Sequence, residues 1–230
     1  MKKALLIVLS ITLVFALFVG CTNNQKKDNT QNNQSNTTQT ANAKTGLAVI
    51  SSIEKSTDAG AENGLAQADS TVVAVLVDNS GKILKCKIDA IQTKINFNSQ
   101  GKLVTPIDTK VKTKTELGTE YGMKKASGIG KEWNEQAEAL AKYVEGKTIA
   151  EVKGIAVNEK GAPTASELAS SVTVSITGYI NAIEKAVSNA KDLGAKTTDT
   201  LGLGAVTNIA KSTDATNDAA GLAQAYSSYA

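Results

Sequence analysis

The sequence predicts an α+β fold in which helices pack on one face of an antiparallel β-meander. Two observations lead to this prediction. Strand-like segments are concentrated between residues 71 and 97, whereas apolar residues at helical spacing follow only after residue 130. An opening segment that returns near the C-terminus adds the start of a second copy of the domain. The complete domain, residues 46–200, is long enough to bury an adequate core.

The N-terminal residues 1–20 have the three parts of a signal peptide: two lysines, an apolar run and a small residue before a cysteine. The stretch Phe18-Val19-Gly20-Cys21 resembles the lipobox of bacterial lipoproteins, which implies lipid on Cys21 and cleavage before it. An uncleaved apolar anchor is the alternative. In both cases we expect an exported surface protein of Gram-positive type, anchored to the outer face of the cytoplasmic membrane.

The segment that follows the lipidated cysteine is polar. Residues 22–44 contain mostly Asn, Gln, Thr, Ser and Lys and no large apolar side chain. Such a segment cannot offset its own ordering entropy. We therefore expect residues 21–45 to form a disordered tether between the membrane and the folded domain.

Composition narrows the possible functions. The 25 basic residues are all lysines, they are interleaved with 22 acidic residues, and the net charge is only +3, which argues against nucleic-acid binding. Histidine, the commonest general base and metal ligand, is absent from the chain. Without an acidic cluster at metal spacing, we expect no catalytic residue of a hydrolase and no metal site. An enzyme is therefore less expected than a binding protein or an electron carrier.

The predicted strands begin with the β-branched segment 71–77, and Asp78-Asn79-Ser80-Gly81 supplies a turn in preference to a calcium site. A second strand runs from Ile83 to Phe97, where apolar residues alternate with lysines, as expected for one solvent-exposed face. Cys86 lies in this strand. A buried, inert thiol is favoured there over a reactive one, because no base or metal partner is visible.

The helices follow a long connection over residues 105–130, which is expected to be either functional or disordered. Apolar residues predict an amphipathic helix over residues 131–145. Short helices are expected to begin at Thr148 and Thr164, each of which has capping-box spacing to a glutamate. The last predicted helix extends over residues 172–190, and Gly194 ends it.

An internal repeat links the two ends of the exported part. Gly46–Ala59 returns as Gly202–Ala215, 156 residues later, and Gly64–Ala68 returns as Gly221–Ala225. This spacing is of domain size. Residues 201–230 are therefore either the start of a second domain or an addition to the first domain's sheet. We favour a second domain, because residues 226–230 resemble a strand that is just beginning.

A hairpin followed by a hydroxyl-rich entry into a terminal helix resembles the FMN-binding domain of exported bacterial redox proteins. That family has an acidic residue, two spacers and a Ser/Thr-Gly-Ala-Thr group, which Glu167 and Ser170 to Thr173 match in this sequence. Ser171 and Val172 stand where the family has glycine and alanine. The resemblance implies FMN as cofactor, Thr173 as a phosphoester acceptor, and Ser170 and Ser171 beside it.

A helix N-terminus rich in hydroxyl groups suits a phosphate, but serines there can equally be ordinary N-caps. Tyr121 and Trp133 are candidates for stacking on a flavin ring, although core packing is favoured for Trp133. The resemblance implies electron transfer outside the cytoplasm, next to a membrane redox partner. The alternative is a binding or structural lipoprotein that has lost the cofactor.

Overall fold

The computed structural model describes residues 42–230, and it confirms the α+β class. The signal peptide, Cys21 and the expected tether up to residue 41 lie outside the described residues. The strands and helices, in chain order, are β1 (Lys44–Ser52), β2 (Gly64–Val77), β3 (Ile83–Phe97), α1 (Lys114–Leu117), α2 (Trp133–Val144), α3 (Ile149–Lys153), α4 (Ser166–Ala169), α5 (Thr177–Ser188), β4 (Ala205–Asn208) and β5 (Tyr226–Tyr229).

The main sheet is the predicted meander, with the order β1-β2-β3 and antiparallel neighbours throughout. The turn between β2 and β3 is built on Asp78. Its Oδ1 accepts hydrogen bonds from the Ser80 hydroxyl at 2.7 Å and from the Lys82 N–H at 2.9 Å. The Ser80 bond is the main reason why the pKa of Asp78 lies below its ordinary value. The predicted turn role of Asp78 is thus confirmed.

The core lies between this sheet and the helices α2 and α5. The apolar face predicted for the first long helix is confirmed, with Trp133, Leu140 and Val144 each at most 1% exposed. Ile180 and Ile183 of α5 join the same cluster, opposite alternating residues of the strands. Each large apolar side chain buried in this way contributes about 1.5–3 kcal/mol.

One glycine sets the spacing between β1 and α5. A Cβ atom at Gly46 would collide with the carbonyl oxygen of Ala186 in α5. The strand backbone therefore lies directly against the helix backbone at this point. Ordered structure also begins before the predicted boundary at Gly46, since Ala43 is fully buried and its N–H donates to the Ala195 carbonyl at 2.9 Å.

The long connection over residues 105–130 is folded, with α1 and two short 3₁₀ turns at Gly118–Tyr121 and Met123–Lys125. The capping box at Thr148 is confirmed. The one predicted at Thr164 is wrong, because the Thr164 hydroxyl donates to the Ala156 carbonyl and α4 starts at Ser166 without a side-chain cap. No helix within residues 42–230 is long and apolar enough to cross a membrane.

The last helix starts later than the sequence predicts, because α5 begins at Thr177 and not near residue 172. Three backbone N–H groups in this segment donate to residues distant in sequence and not to the carbonyl groups of a helix. Thr173 and Val174 donate to the side-chain oxygen of Gln136, and Ile176 donates to the carbonyl of Gly161. Tertiary hydrogen bonds thus hold residues 172–176 outside the helix.

The repeated segment forms a second hairpin from β4 and β5, which is a sheet of its own and does not extend the first one. Its register reproduces that of the hairpin formed by β1 and β2, which we call the first hairpin. Ala205 faces Tyr229 as Val49 faces Val72, since the two pairs are offset by the repeat spacing. A bridge between Val111 and Thr207 connects the second hairpin to the rest of the fold.

Candidate functional site

The site is organised by the start of α2. Glu132, the residue before this helix, donates its N–H to the Glu135 carboxylate at 2.7 Å. Glu132 is 5% exposed, and its own carboxylate accepts the Met123 N–H at 2.8 Å. This arrangement ties the 105–130 connection to the helix. It also turns Trp133 and Gln136, which are three residues apart, toward the same buried side.

Gln136 is fully buried and organises the segment that contains Thr173. Its Oε1 accepts the Thr173 N–H at 2.9 Å, the Thr173 hydroxyl at 3.2 Å and the Val174 N–H at 3.3 Å. Its Nε2 donates to the Ser127 hydroxyl and to the Lys131 carbonyl, both at 3.2 Å. One carboxamide therefore joins the 105–130 connection to the Thr173 segment.

Thr173 itself is exposed, and Ser171, two residues before it, contacts a cation. The Lys131 ammonium donates to the Ser171 hydroxyl at 3.2 Å. Ser170 is exposed and donates its hydroxyl to the Glu167 carbonyl at 3.1 Å. We name Lys131, Gln136, Ser171 and Thr173 the hydroxyl cluster.

The expected helix N-terminus at this place is wrong. Ser170 is the C-cap of α4, so neither it nor Ser171 caps the last helix. Thr173 lies four residues before α5, so the free amides and the dipole of a helix do not point at it. Any affinity of this region for an anion must come from Lys131 and the hydroxyl groups.

Aromatic side chains form the adjoining part of the site. The Trp133 indole N–H donates to the Tyr179 hydroxyl at 3.0 Å, and the two ring centres are 6.1 Å apart. Burial raises the pKa of Tyr179 above its ordinary value. Tyr121 is half-buried and packs against the same core. With Lys114, whose ammonium lies over two of these rings, we name these residues the aromatic cluster.

The Lys114 ammonium is 4.6 Å from the ring centre of Tyr121 and 5.1 Å from that of Trp133. Contacts of this kind are worth about 0.5–2 kcal/mol, depending on how far the cation is desolvated. Trp133 is 1% exposed, so its predicted role in core packing is confirmed and its ring face is not open for stacking. Tyr121 remains the accessible ring of the pair.

A carboxylate of the first hairpin, that of Asp69, lies near the aromatic cluster. Asp69 accepts hydrogen bonds from Lys55 at 2.7 Å and from Gln67 at 2.6 Å. Burial alone would raise the pKa of Asp69, but these bonds outweigh it and hold the pKa below its ordinary value. The same bond to Asp69 raises the pKa of Lys55. Two residues of the aromatic cluster add smaller contributions: Lys114 lowers the pKa of Asp69, and Tyr121 raises the pKa of Lys55.

The structure therefore connects most of the predicted site residues. Thr173 and Ser171 lie in the hydroxyl cluster, Tyr121 lies in the aromatic cluster, and the first turn of α2 joins the two. Sequence reasoning missed Lys114 and Gln136. A glutamine three residues after Trp133 on an apolar helix face was a usable signal, because polar residues at such positions need buried partners.

Cys86 belongs to another part of the core. Its side chain is 3% exposed, and burial raises the pKa of its thiol to about 12. The predicted burial of this thiol is confirmed, and its raised pKa agrees with the expectation that it is inert. Across residues 42–230, no three acidic or thiol groups come together as they would around a metal ion.

The comparisons with known proteins give one informative relative. No family model and no solved structure matches the chain. Chlorophenol reductase from Desulfitobacterium hafniense is 35% identical over 94 residues, which cover 36% of this chain and 29% of that protein. The match thus spans less than a third of the relative's length. Part of this chain is therefore similar to a redox protein.

Proposed function

We propose that this chain is a bacterial lipoprotein, anchored through Cys21 to the outer face of the cytoplasmic membrane, whose domain binds FMN and exchanges electrons with a membrane redox partner. The observation that supports this most is the continuity of the hydroxyl cluster and the aromatic cluster across one turn of α2. Sequence similarity to a reductase agrees with a redox role.

The residues fit the two chemically different ends of FMN. Lys131 and the Ser171 hydroxyl suit a phosphate, with the lysine acting as a point charge because arginine is absent. Tyr121 and Lys114 line a cavity of about 280 Å³, which suits part of an aromatic, anionic ligand. FMN, when bound, supplies reversible electron transfer, and the protein supplies position and charge.

Gln136 determines how Thr173 presents its oxygen. The Thr173 hydroxyl donates its hydrogen inward to Gln136 Oε1, so the oxygen lone pairs are left toward solvent. A neutral amide is too weak a base to take the hydroxyl proton. A phosphoester at Thr173 would lack this hydroxyl hydrogen, so Gln136 would act as a positioning residue through the Thr173 and Val174 N–H groups, which donate to the same oxygen. Val172, which is 1% exposed, fixes the segment from the other side.

The visible absorption spectrum of the purified exported chain, produced together with a flavin transferase, tests the proposal. We expect flavin bands in the native protein. Bands that persist after denaturation and disappear in Thr173→Ala would show covalent attachment. Ser175→Ala, which removes an exposed hydroxyl two residues further on, is the matched control and should leave the spectrum unchanged.

A cofactor-free binding lipoprotein is the second candidate, and one observation favours it. Gln136 Oε1 already satisfies three donors around Thr173, so this segment is complete without a ligand. A cavity of about 280 Å³ beside Tyr121 is lined by three lysines (Lys94, Lys112 and Lys114) and one acid, Glu120, so its excess positive charge suits an anionic group of a partner. A native protein without flavin bands would support this function over the first.

Anchoring is tested separately from flavin binding. Metabolic labelling with a fatty acid should mark the wild-type chain, whereas Cys21→Ser should remain unlabelled. Cys86→Ser is the matched control, because it removes a cysteine within the fold and should keep the label. Equal labelling of wild type and Cys21→Ser would contradict lipidation at this residue.

A further inference from the structure

Lys114 holds a positive charge in a fixed place within the aromatic cluster. It is the first residue of α1, whose N-terminus is closed by reciprocal bonds between Thr113 and Glu116 at 3.1 and 2.8 Å. Its ammonium lies over the rings of Tyr121 and Trp133. Backbone capping and two aromatic contacts together keep this cation against the Tyr121 ring, and both residues line a cavity of about 280 Å³.

The charge of Lys114 is not neutralised by a salt bridge within residues 42–230. Its neighbour Lys112, by contrast, is exposed and pairs with Glu120 at 2.8 Å. Asp69, the nearby carboxylate, is already bonded to Lys55. Because Lys114 is half-buried, its charge acts on a neighbouring ligand with less screening than a charge in open solvent.

We infer that Lys114 makes the site prefer the reduced, anionic form of a bound flavin. This inference rests on the proposed function. Uptake of two electrons and one proton leaves a flavin ring with one additional negative charge. The electrons come from the membrane redox partner in the cell and from dithionite in the test below. A fixed cation stabilises the charged ring more than the neutral one, so reduced FMN should bind more tightly than oxidised FMN.

The test uses the full chain purified in detergent and compares its affinities for oxidised and dithionite-reduced FMN under anaerobic conditions, with free FMN measured after ultrafiltration. Lys114→Met keeps the length of the side chain and removes its charge. We expect the preference for reduced FMN to fall by about tenfold, as for one partly screened unit charge. Lys153→Met should change the preference by less than about twofold, because Lys153 is exposed, is paired with Glu184 at 2.8 Å and belongs to neither cluster.

Lys114→Arg should restore the preference, since it keeps the charge. Circular dichroism of each variant identifies any loss of fold. If Lys114→Met binds FMN with the wild-type preference, the inference is wrong while the proposed function stands. If Lys153→Met loses as much preference as Lys114→Met, a general charge effect replaces the specific one and the inference is wrong. If the wild-type chain binds neither form, the inference and the proposed function both fall.

Discussion

The two hairpins of this chain have nearly the same internal structure in different surroundings. In the first, the Ser56 hydroxyl bonds the backbone of Gln67 in both directions, and Ser212 does the same for Gln224 in the second. The backbone pair of Thr57 and Leu65 returns as the pair of Thr213 and Leu222, with distances of 2.8 and 2.9 Å in both copies. The repeated sequence therefore forms the same local hydrogen bonds in two different surroundings.

The hairpins differ where the first one meets the helices and the aromatic cluster. Lys55 and Gln67 hold Asp69, whereas in the second copy Lys211 lies 4.5 Å from the ring centre of Tyr226 and Gln224 bonds its hydroxyl at 2.6 Å. The same two partners thus hold a carboxylate in one copy and a phenol in the other. Only the first copy places a charge next to the candidate site.

Replacing the glycine at the start of each copy, Gly46 or Gly202, should give the largest difference in stability between the two hairpins. Gly46→Ala places a methyl group against the Ala186 backbone and should reduce the free energy of unfolding by about 3 kcal/mol, as expected for overpacking. At its counterpart Gly202, a Cβ atom would meet no heavy atom of the described residues within 4 Å, so Gly202→Ala should change stability by less than about 0.5 kcal/mol. Denaturant unfolding measures both. Equal effects would contradict the tight contact between β1 and α5.

Hydrogen exchange should separate the hairpins by a smaller margin. Amides at the centre of β2 are paired on both sides and lie under helices, whereas β5 is paired only with β4 among the described strands. We expect the β2 amides to exchange about 30-fold more slowly than those of Tyr226–Tyr229, which corresponds to about 2 kcal/mol. Similar protection in both would mean that the second hairpin unfolds only together with the main core.

Removing the carboxylate charge with Asp69→Asn should have the smallest effect, a loss of about 0.5 kcal/mol in the free energy of unfolding, because the ion pair with Lys55 is partly exposed. The lowered pKa of Asp69 means that this stability is fully present above the ordinary carboxyl value of 3.8 and is lost as the pH falls through the lowered pKa. The difference in melting temperature between wild type and Asp69→Asn should therefore be constant from pH 7 to about pH 5 and shrink below it.

Asp58→Asn is the control for that series. Asp58 is exposed and makes no salt bridge among the residues that the structure describes. Its replacement should leave the melting temperature unchanged at every pH tested. A pH-independent difference for Asp69→Asn would show that Asp69 acts through its shape and hydrogen bonds rather than its charge.

The fold was largely predictable because its signals are local. The β-branched run of β2, the Asp78 turn and the apolar face of α2 each follow from residues close in sequence, and each is confirmed. The start of α5 was not predictable in this way. The donors of Thr173 and Val174 are taken by Gln136, which lies 37 and 38 residues away, and no local pattern reports such a partner.

The site was predictable only in part for the same reason. Thr173, Ser171 and Tyr121 were singled out by residue type and by resemblance, but their arrangement depends on α2, which lies between them in sequence. Lys114 was one of many lysines in the chain. Its contact with Tyr121 and Trp133 arises from the fold of the 105–130 connection, whose length alone gave no indication of it.

Titration of the purified full chain with FMN, followed by the fluorescence of Trp133, tests the central claim most directly. Trp133 is the single tryptophan of the chain and is buried within the aromatic cluster, so its emission reports on this site alone. We predict saturable quenching at one FMN per chain, with weaker binding of riboflavin, which lacks the phosphate that Lys131 would contact. Emission that stays unchanged up to saturating FMN would contradict an FMN site at this position.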